Sequence, residues 1–295
     1  MATLFLVGTG PGQPDWVTPA AIKAIEQSTD LVAYGLYLDI LGEVCQGKQH
    51  HDLPLGQEIE RARLALNLAA SGRDTALISS GDIGIYAMAT LVFELLDQQL
   101  QGTCNGQETS GQEYHPEWLD VSIEVLPGIS AMQAGASRVG ALLGHDFCTI
   151  SLSDLLTPWQ TIEKRVHSAG SGDFVVSFYN PVSRKRDWQL NHARDILLQY
   201  RPAQTPVLIG RQLTRPDETL TITTLQQLNA KDVDMFTLVT VGNSESRHII
   251  NGKQEWLYTP RGYRKKLSLT QSEEIQPEDS QLEETQSEDK RELSV

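Results

Sequence analysis

The sequence predicts two α/β domains, the first built on a mainly parallel sheet and the second on a mixed one. Three observations predict this. Apolar runs of strand length alternate with helix-period segments through the first half of the chain. Nearly every such run ends in a turn marked by Gly or Pro. A length of 295 residues is comfortable for two domains. The reading assigns residues 1–146 to the first domain, 147–263 to the second and 264–295 to an acidic tail.

Taken in order, "TLFLVG" is the first strand, and "TPAAIKAIEQS" the first helix, with Thr18 as its N-cap and Pro19 at the first helical position. "DLVAYG" is a second strand. "QEIERARLALNLAASG" puts Ile59, Ala62, Leu66 and Ala69 on one helical face and stops at Gly72. "DTALISSGD" is a strand, "IYAMATLVFELLDQQL" an apolar helix, "VSIEVLPG" a strand and "SAMQAGASRVGALLG" a small-residue helix. The stretch 101–117 is polar, rich in turn residues and without period, and reads as an inserted surface loop. Beyond His145, "CTISLSDLL", "DFVVSFYNP", "PVLIGRQL", "ETLTITTLQQL" and "FTLVTVGNS" supply strands, "DWQLNHARDILLQY" a helix, and a short helix is expected after Thr224. "QEWLYTPRGY" closes the second domain. The alternation Leu220-Thr221-Ile222-Thr223 marks a hairpin edge, hence the mixed second sheet.

Composition narrows the function classes. No apolar run reaches the ~18 residues of a membrane helix, and "MATLFLVGTGPG" has no basic n-region, so it reads as a strand rather than a signal peptide. Cys45, Cys104 and Cys148 are widely spaced and odd in number, which suits a reducing cytoplasm and neither a disulfide framework nor a metal site. The net charge of −14 argues against nucleic acid, whose phosphates need a basic surface. From Leu267 to Val295 there are nine acids against Lys290 and Arg291 and no aromatic residue, the composition of a disordered, solvated extension.

Turns after strands are where an open α/β sheet collects ligands, and "GTGPG", "SGDIG", "LPGIS", "FYNPVS" and "VGNSES" are such turns. "GTGPG" invites a nucleotide reading, but its spacing is not G-x-G-x-x-G, and Pro11 removes an amide a phosphate would use. The helix is delayed to about Thr18. A tight loop in which glycine meets backbone limits competes with any ligand role. In "SGDIGIY", Asp82 either holds hydroxyls or an ammonium group, or caps a helix beginning near Ile85. Ser130 of "PGISA" has the same two readings.

Together, "GTGPGQPDWVTPAA", "SGDIGIY" and "LPGISA", in this order and spacing, resemble the tetrapyrrole methylases, a family using S-adenosylmethionine. "LGHDFCTISLSDLLTPW", "FYNPVSRKR", "GRQLTRPDET" and "VTVGNSES" look like the branch that methylates C-17 of precorrin-3B in cobalamin synthesis, or of its cobalt counterpart, cobalt-factor III, with ring contraction. The likeness runs from Thr3 to about Tyr263. It implies two α/β domains with the cleft between them, a cytoplasmic homodimer, and S-adenosylmethionine folded in the cleft against Pro11, Ser80, Gly81, Asp82, Ile85, Ser130, Ala131, Tyr179, Leu213 and Thr237. Two departures stand out: "SGDPG" is "SGDIG" here, so Ile83 replaces proline, and the acid that uroporphyrinogen methylases carry after the tyrosine of "DLVAY" is Gly35, which argues against that branch.

Methyl transfer from a sulfonium expels a neutral thioether, so orientation and exclusion of water suffice for it. Ring contraction also needs proton transfers. His145 and Tyr86 are the candidate catalytic groups, with Asp146, Ser153 and Asp154 nearby in sequence; a linker histidine that merely bonds backbone is the competing reading of His145. The substrate is a polycarboxylate, for which Arg184 and Arg211 are the favoured ligands, with Arg215 following the same strand as Arg211. Lys185 and Arg186 read as a solvated helix start. Gly10 is expected to let backbone approach the tetrapyrrole.

Overall fold

A computed structural model of the chain describes residues 2–105, 114–183, 186–263 and 266. Much of the expected insertion (106–113), Arg184, Lys185 and the acidic segment from 267 lie outside the described residues. Residues 2–259 form one compact unit.

The first sheet holds β1 (Thr3–Gly8), β2 (Asp30–Ala33), β3 (Gln49–Asp52), β4 (Thr75–Ser79) and β5 (Ser122–Leu126) in the order β3-β2-β4-β1-β5. Every pairing in it is parallel. Between the strands run α1 (Pro19–Gln27), α2 (Gly35–Leu41), α3 (Glu58–Ala70) and α4 (Met88–Asn105). Leu4, Leu6, Val32 and Leu77 point to one face, under α3 and α4; Phe5, Val7, Leu31, Ala76 and Ile78 point to the other, under α1 and α2. That two-sided burial is why these strands read as unbroken apolar runs. The connection from β1 leads to β2 and that from β4 to β5, in opposite directions along the sheet, so a switch point lies between neighbours β1 and β4.

After α5 (Ala131–Val139) comes a short strand β6 (Gly140–Ala141), and then a second sheet, β10-β9-β11-β8-β7. Its strands are β7 (Phe147–Ser151), β8 (Val175–Tyr179), β9 (Pro206–Arg211), β10 (Thr219–Thr224) and β11 (Thr237–Val241). Only β7 and β8 pair in parallel; β8-β11, β11-β9 and β9-β10 are antiparallel. α6 (Trp159–Ser171) and α7 (Gln189–Leu197) cover one face. β12 (Arg247–Asn251) and β13 (Gln254–Tyr258) form a hairpin turned at Gly252, and β13 pairs with β6.

Thr18 caps α1 as expected, accepting from the Ala21 amide at 3.2 Å. Other expectations need correcting. Ile59 is exposed, and the buried face of α3 is instead Arg61, Ala62, Ala65, Leu66 and Ala69. Arg61 tolerates burial because its guanidinium donates to the carbonyls of Leu53 and Pro54 at 2.9 and 2.8 Å. The short helix expected after Thr224 is a turn over residues 225–227, closed on Thr224 O, followed by one 3-10 helix, Ala230–Asp232. α4 starts at Met88, not near Ile85, and runs to Asn105, into the stretch expected to be loop.

Candidate functional site

Three loops of the first sheet meet at the switch point, and glycine is what lets them meet. The Gly10 amide donates to Gly81 O (3.1 Å) and the Gly81 amide to Gly10 O (2.7 Å), a direct bridge between the loops after β1 and β4. A Cβ on Gly128, in the loop after β5, would lie 2.1 Å from Gly81 O, and one on Gly8 would lie 2.7 Å from the Gly128 nitrogen. Gly10 also has φ +75°, and a Cβ there would meet the Trp16 carbonyl oxygen at 2.6 Å. The Asp82 carboxylate staples the same junction, accepting from the amides of Gly84 (2.8 Å) and Gly128 (3.1 Å). It therefore ties two loops together rather than capping α4.

This arrangement answers the nucleotide question raised by "GTGPG". Thr9 N is bonded to Ser79 O, Gly10 N to Gly81 O and Gln13 N to Thr214 O, while Pro11 has no N–H. The loop has almost no free amide left for a phosphate. Gly10, expected to face a substrate, is buried against Gly81; of the loop, Pro11 is the residue that reaches the cleft.

The cleft has a volume of about 900 Å³ and opens above the carboxyl ends of β1 and β4. The first sheet contributes Pro11, Ser80, Gly81, Asp82, Ile85 and Tyr86, with Tyr34 and Tyr37 after β2 and Leu55 after β3; Ser130 and Ala131 come from the start of α5. The second sheet contributes Tyr179, Asn180 and Ser183 after β8, Gln212, Leu213 and Arg215 after β9, and Asp234–Thr237 before β11.

Tyr179 joins the two walls. Its hydroxyl lies 2.5 Å from Ser130 Oγ and accepts the Met132 amide at 3.2 Å, so a side chain from β8 serves the N-terminus of α5. Burial pushes the Tyr179 phenol up, although the bonds to Ser130 and Met132 pull it down. Ser130 thus serves both: it is the N-cap of α5 in a capping box, its amide donating to Gln133 Oε1 at 2.9 Å, and its hydroxyl also meets Tyr179. Tyr86 stands against Tyr179, with ring centroids 5.3 Å apart, at φ 52°, and its hydroxyl donates to Thr149 O on β7 at 3.0 Å.

The second wall uses no glycine at its sharpest points. Asn180, Gln212 and Thr214 adopt φ of 50°, 49° and 63°. For a β-branched residue such as Thr214 this is an outlier. The loop 212–218 is held by its surroundings. Glu218 accepts the Thr214 amide at 2.5 Å and pairs with Arg138 at 3.1 Å, and Arg138 lies over the Trp16 ring at 5.2 Å. Gly12 leaves room for this loop: a Cβ there would stand 2.6 Å from Thr214 Oγ1 and 2.8 Å from Arg215 Cγ. Asp234 accepts from Arg211 Nε (2.6 Å), Thr237 Oγ1 (2.8 Å) and the Phe236 amide (2.9 Å). Burial alone would raise its carboxyl, but these bonds and the Arg211 charge hold it below the usual range.

The cleft brings together all ten residues expected to line a cofactor site: Pro11, Ser80, Gly81, Asp82, Ile85, Ser130, Ala131, Tyr179, Leu213 and Thr237. Tyr86 is there too. Others are elsewhere. His145 sits outside the lining, its Nδ1 accepting the Asp146 amide at 2.7 Å, because the chain has not yet reached β7 there. Arg211 is outside it as well, engaged with Asp234. Arg184 lies outside the described residues. Arg186, expected to be solvated, is buried and donates to Leu152 O (2.5 Å) and Asn180 O (2.7 Å), clamping the loops after β7 and β8. Asp154, 3.7 Å from Arg186 Nε and 3.1 Å from Gln189 Nε2, belongs to that clamp. Tyr34, Tyr37, Met235 and Phe236 were not expected in the cleft; their only signal was position after or before a strand.

Among the described residues no helix is long and apolar enough to cross a membrane, and no cluster of three or more His, Cys, Asp or Glu is placed to hold a metal. The family model "Tetrapyrrole (Corrin/Porphyrin) Methylases" matches residues 3–104 and 108–229. A precorrin-3B C(17)-methyltransferase of Sinorhizobium sp is 38% identical over 266 residues, 88% of this chain and 97% of that one. A probable cobalt-factor III C(17)-methyltransferase of Salmonella typhimurium is 42% identical over 260 residues, 88% and 99% of the two chains. The cobalamin biosynthesis protein CobIJ of Mycobacterium tuberculosis is 40% identical over 88% of this chain, which spans about half (48%) of that longer relative. The crystal structure of the methyltransferase CobJ superposes with a TM-score of 0.77 at 36% identity, covering 88% of this chain and all of that one. With this fold, this cleft and a family match over most of its length, the chain belongs to the tetrapyrrole methylases.

Proposed function

We propose that this chain transfers a methyl group from S-adenosylmethionine to C-17 of precorrin-3B or cobalt-factor III, with contraction of the macrocycle, in cobalamin biosynthesis. The observation that carries the reading is the convergence of the ten expected cofactor-lining residues on one cleft at the switch point of the first sheet. The cleft suits such a ligand: about 900 Å³ is at the upper end of small-molecule sites, and its walls mix apolar Ile85, Ala131 and Leu213 with polar Ser80 and Asp82.

In this reading the sulfonium, when bound, supplies an electrophilic methyl group with a neutral leaving group. The chain's own part is positional. Ser80, Gly81 and Asp82 present a loop whose backbone is fixed by the glycine junction. Leu213 and Ile85 exclude water, and Tyr179 keeps the start of α5 in register with the second sheet. Of the two groups expected to move protons, Tyr86 borders the cleft and His145 does not, so the proposal assigns proton transfer to Tyr86. The family resemblance further supports a cytoplasmic homodimer as the working form.

The test is incubation of the purified chain with S-adenosylmethionine and either tetrapyrrole, read by mass spectrometry and absorption. Gain of one methyl group with the absorption change of ring contraction supports the reading. Methylation without contraction would move the chain to another branch, and absence of any tetrapyrrole product would overturn it.

A further inference from the structure

Asp82, Asp234 and Arg215 are the side chains of formal charge that line the cleft, so among the described residues Arg215 is its one cation. Arg211, one turn of chain earlier, has its charge held by Asp234. Arg215 is built differently. Its Nε donates to Pro11 O at 3.2 Å, and its stem lies over Gly12, which has no side chain to obstruct it. Its backbone is pinned in a turn, Arg215 N to Gln212 O at 2.9 Å and Glu218 N to Arg215 O at 3.0 Å. Glu218, in the same turn, is already engaged with Arg138 and the Thr214 amide. The two terminal nitrogens of the Arg215 fork have no acceptor among the described residues, while the Nε bond fixes the plane of the fork. An end-on pair of parallel N–H groups held this way matches a carboxylate.

We propose that Arg215 is a substrate-recognition residue that binds a carboxylate of the tetrapyrrole. The inference rests on the function proposed above and assigns the polycarboxylate's anchor to the loop after β9. It also explains why that loop is held in left-handed backbone: Gln212 and Thr214 flank Leu213 and turn Arg215 back over the glycine loop. A cleft that otherwise carries two aspartates, in a chain of net charge −14, needs a fixed local cation to admit a polyanion.

The experiment titrates wild type, Arg215→Gln and Arg215→Lys with cobalt-factor III by absorption, and with S-adenosylhomocysteine by calorimetry. The Gln variant should bind the tetrapyrrole about tenfold or more weakly, the scale of a lost charge-assisted bond, and the Lys variant should recover part of that. Affinity for S-adenosylhomocysteine should change less than about twofold, because the Pro11 loop keeps its other backbone bonds. Cobalt-factor III with its carboxylates esterified should bind wild type and the Gln variant alike. Unchanged tetrapyrrole binding in Arg215→Gln overturns the proposal. So does equal weakening of both ligands in both variants, which would reduce Arg215 to a support for Pro11. If wild type itself binds no tetrapyrrole, the underlying functional reading fails first, and the two failures are told apart by that control.

Discussion

The loops after β1, β4 and β5 approach one another through Gly8, Gly10, Gly81 and Gly128, whereas the loops after β8 and β9 reach the same cleft through Asn180, Gln212 and Thr214 at positive φ. On the first wall the close approach is backbone to backbone, leaving no room for a side chain at the glycines, and Asp82 bonds across it from the edge. On the second wall the unfavourable conformations are held by side chains: Arg186 on Asn180 O, Glu218 on Thr214 N, Asp234 across the segment before β11. One wall is rigid chiefly by close backbone approach and the other chiefly by side-chain bonds. A glycine wall is intolerant of any added atom; a bonded wall is tolerant of backbone relaxation but sensitive to the loss of its partners.

The sharpest way to break this contrast is Gly128→Ala. The added Cβ would stand 2.1 Å from Gly81 O, with backbone on both sides. The variant should lose about 3 kcal/mol or more, or fail to fold, read as the midpoint of urea unfolding; a loss under ~1 kcal/mol would mean the junction yields. Gly10→Ala belongs with it, since φ +75° and the Trp16 carbonyl both oppose a side chain, and so it cannot separate cofactor from substrate roles. Next, Tyr179→Phe removes the hydroxyl shared by Ser130 and the Met132 amide, and should cost about 1–2 kcal/mol. An unchanged unfolding midpoint would show that water replaces the hydroxyl without loss.

Smaller still, Gln212→Gly relieves a left-handed residue on the second wall and should leave stability unchanged or raise it by up to about 1 kcal/mol. A loss of that size instead would place this position with the glycine wall. The last test has no effect at neutral pH. Asp234 has a carboxyl held below its ordinary value, so its contribution is fully present above the unfolded carboxylate range and is lost as pH falls through the lower, folded value. Protection of the Phe236 amide, whose N–H is bonded to Asp234, should fall relative to the intrinsic exchange rate at each pH before that of Gly10 and Gly81, whose partners are carbonyls. Simultaneous loosening of both walls would contradict the division.

Much of this was legible in the sequence because buried parallel strands and their turns leave strong marks. "TLFLVG" and "DTALIS" could only be strands covered on both faces, and the turns that follow them are the ones that line the cleft. The opaque elements lack such marks. β3 is "QHHD", an edge strand with almost nothing buried, and no hydrophobic period announces it. α6 does leave a mark: Ile162, Val166 and Ala169 repeat at helical spacing after Pro158 and are all buried. The site was less legible than the fold for a different reason. Which arginine faces the cleft depends on pairings between segments distant in the chain, such as Arg211 with Asp234, or Arg215 with Pro11 at a separation of 204 residues. Sequence spacing carries no record of those.

Gly12 and the loop 212–218 bear on how this protein could be re-engineered. Thr214 and Arg215 fill the room that a side chain at position 12 would occupy, and Gln13 takes its backbone partner from Thr214. Residues 8–16 and 212–218 are therefore a single module in two pieces. A chimera that imports the glycine loop of another methylase while keeping the native second segment would join halves cut from different keys. Grafts that carry both pieces together should fold where either one alone does not.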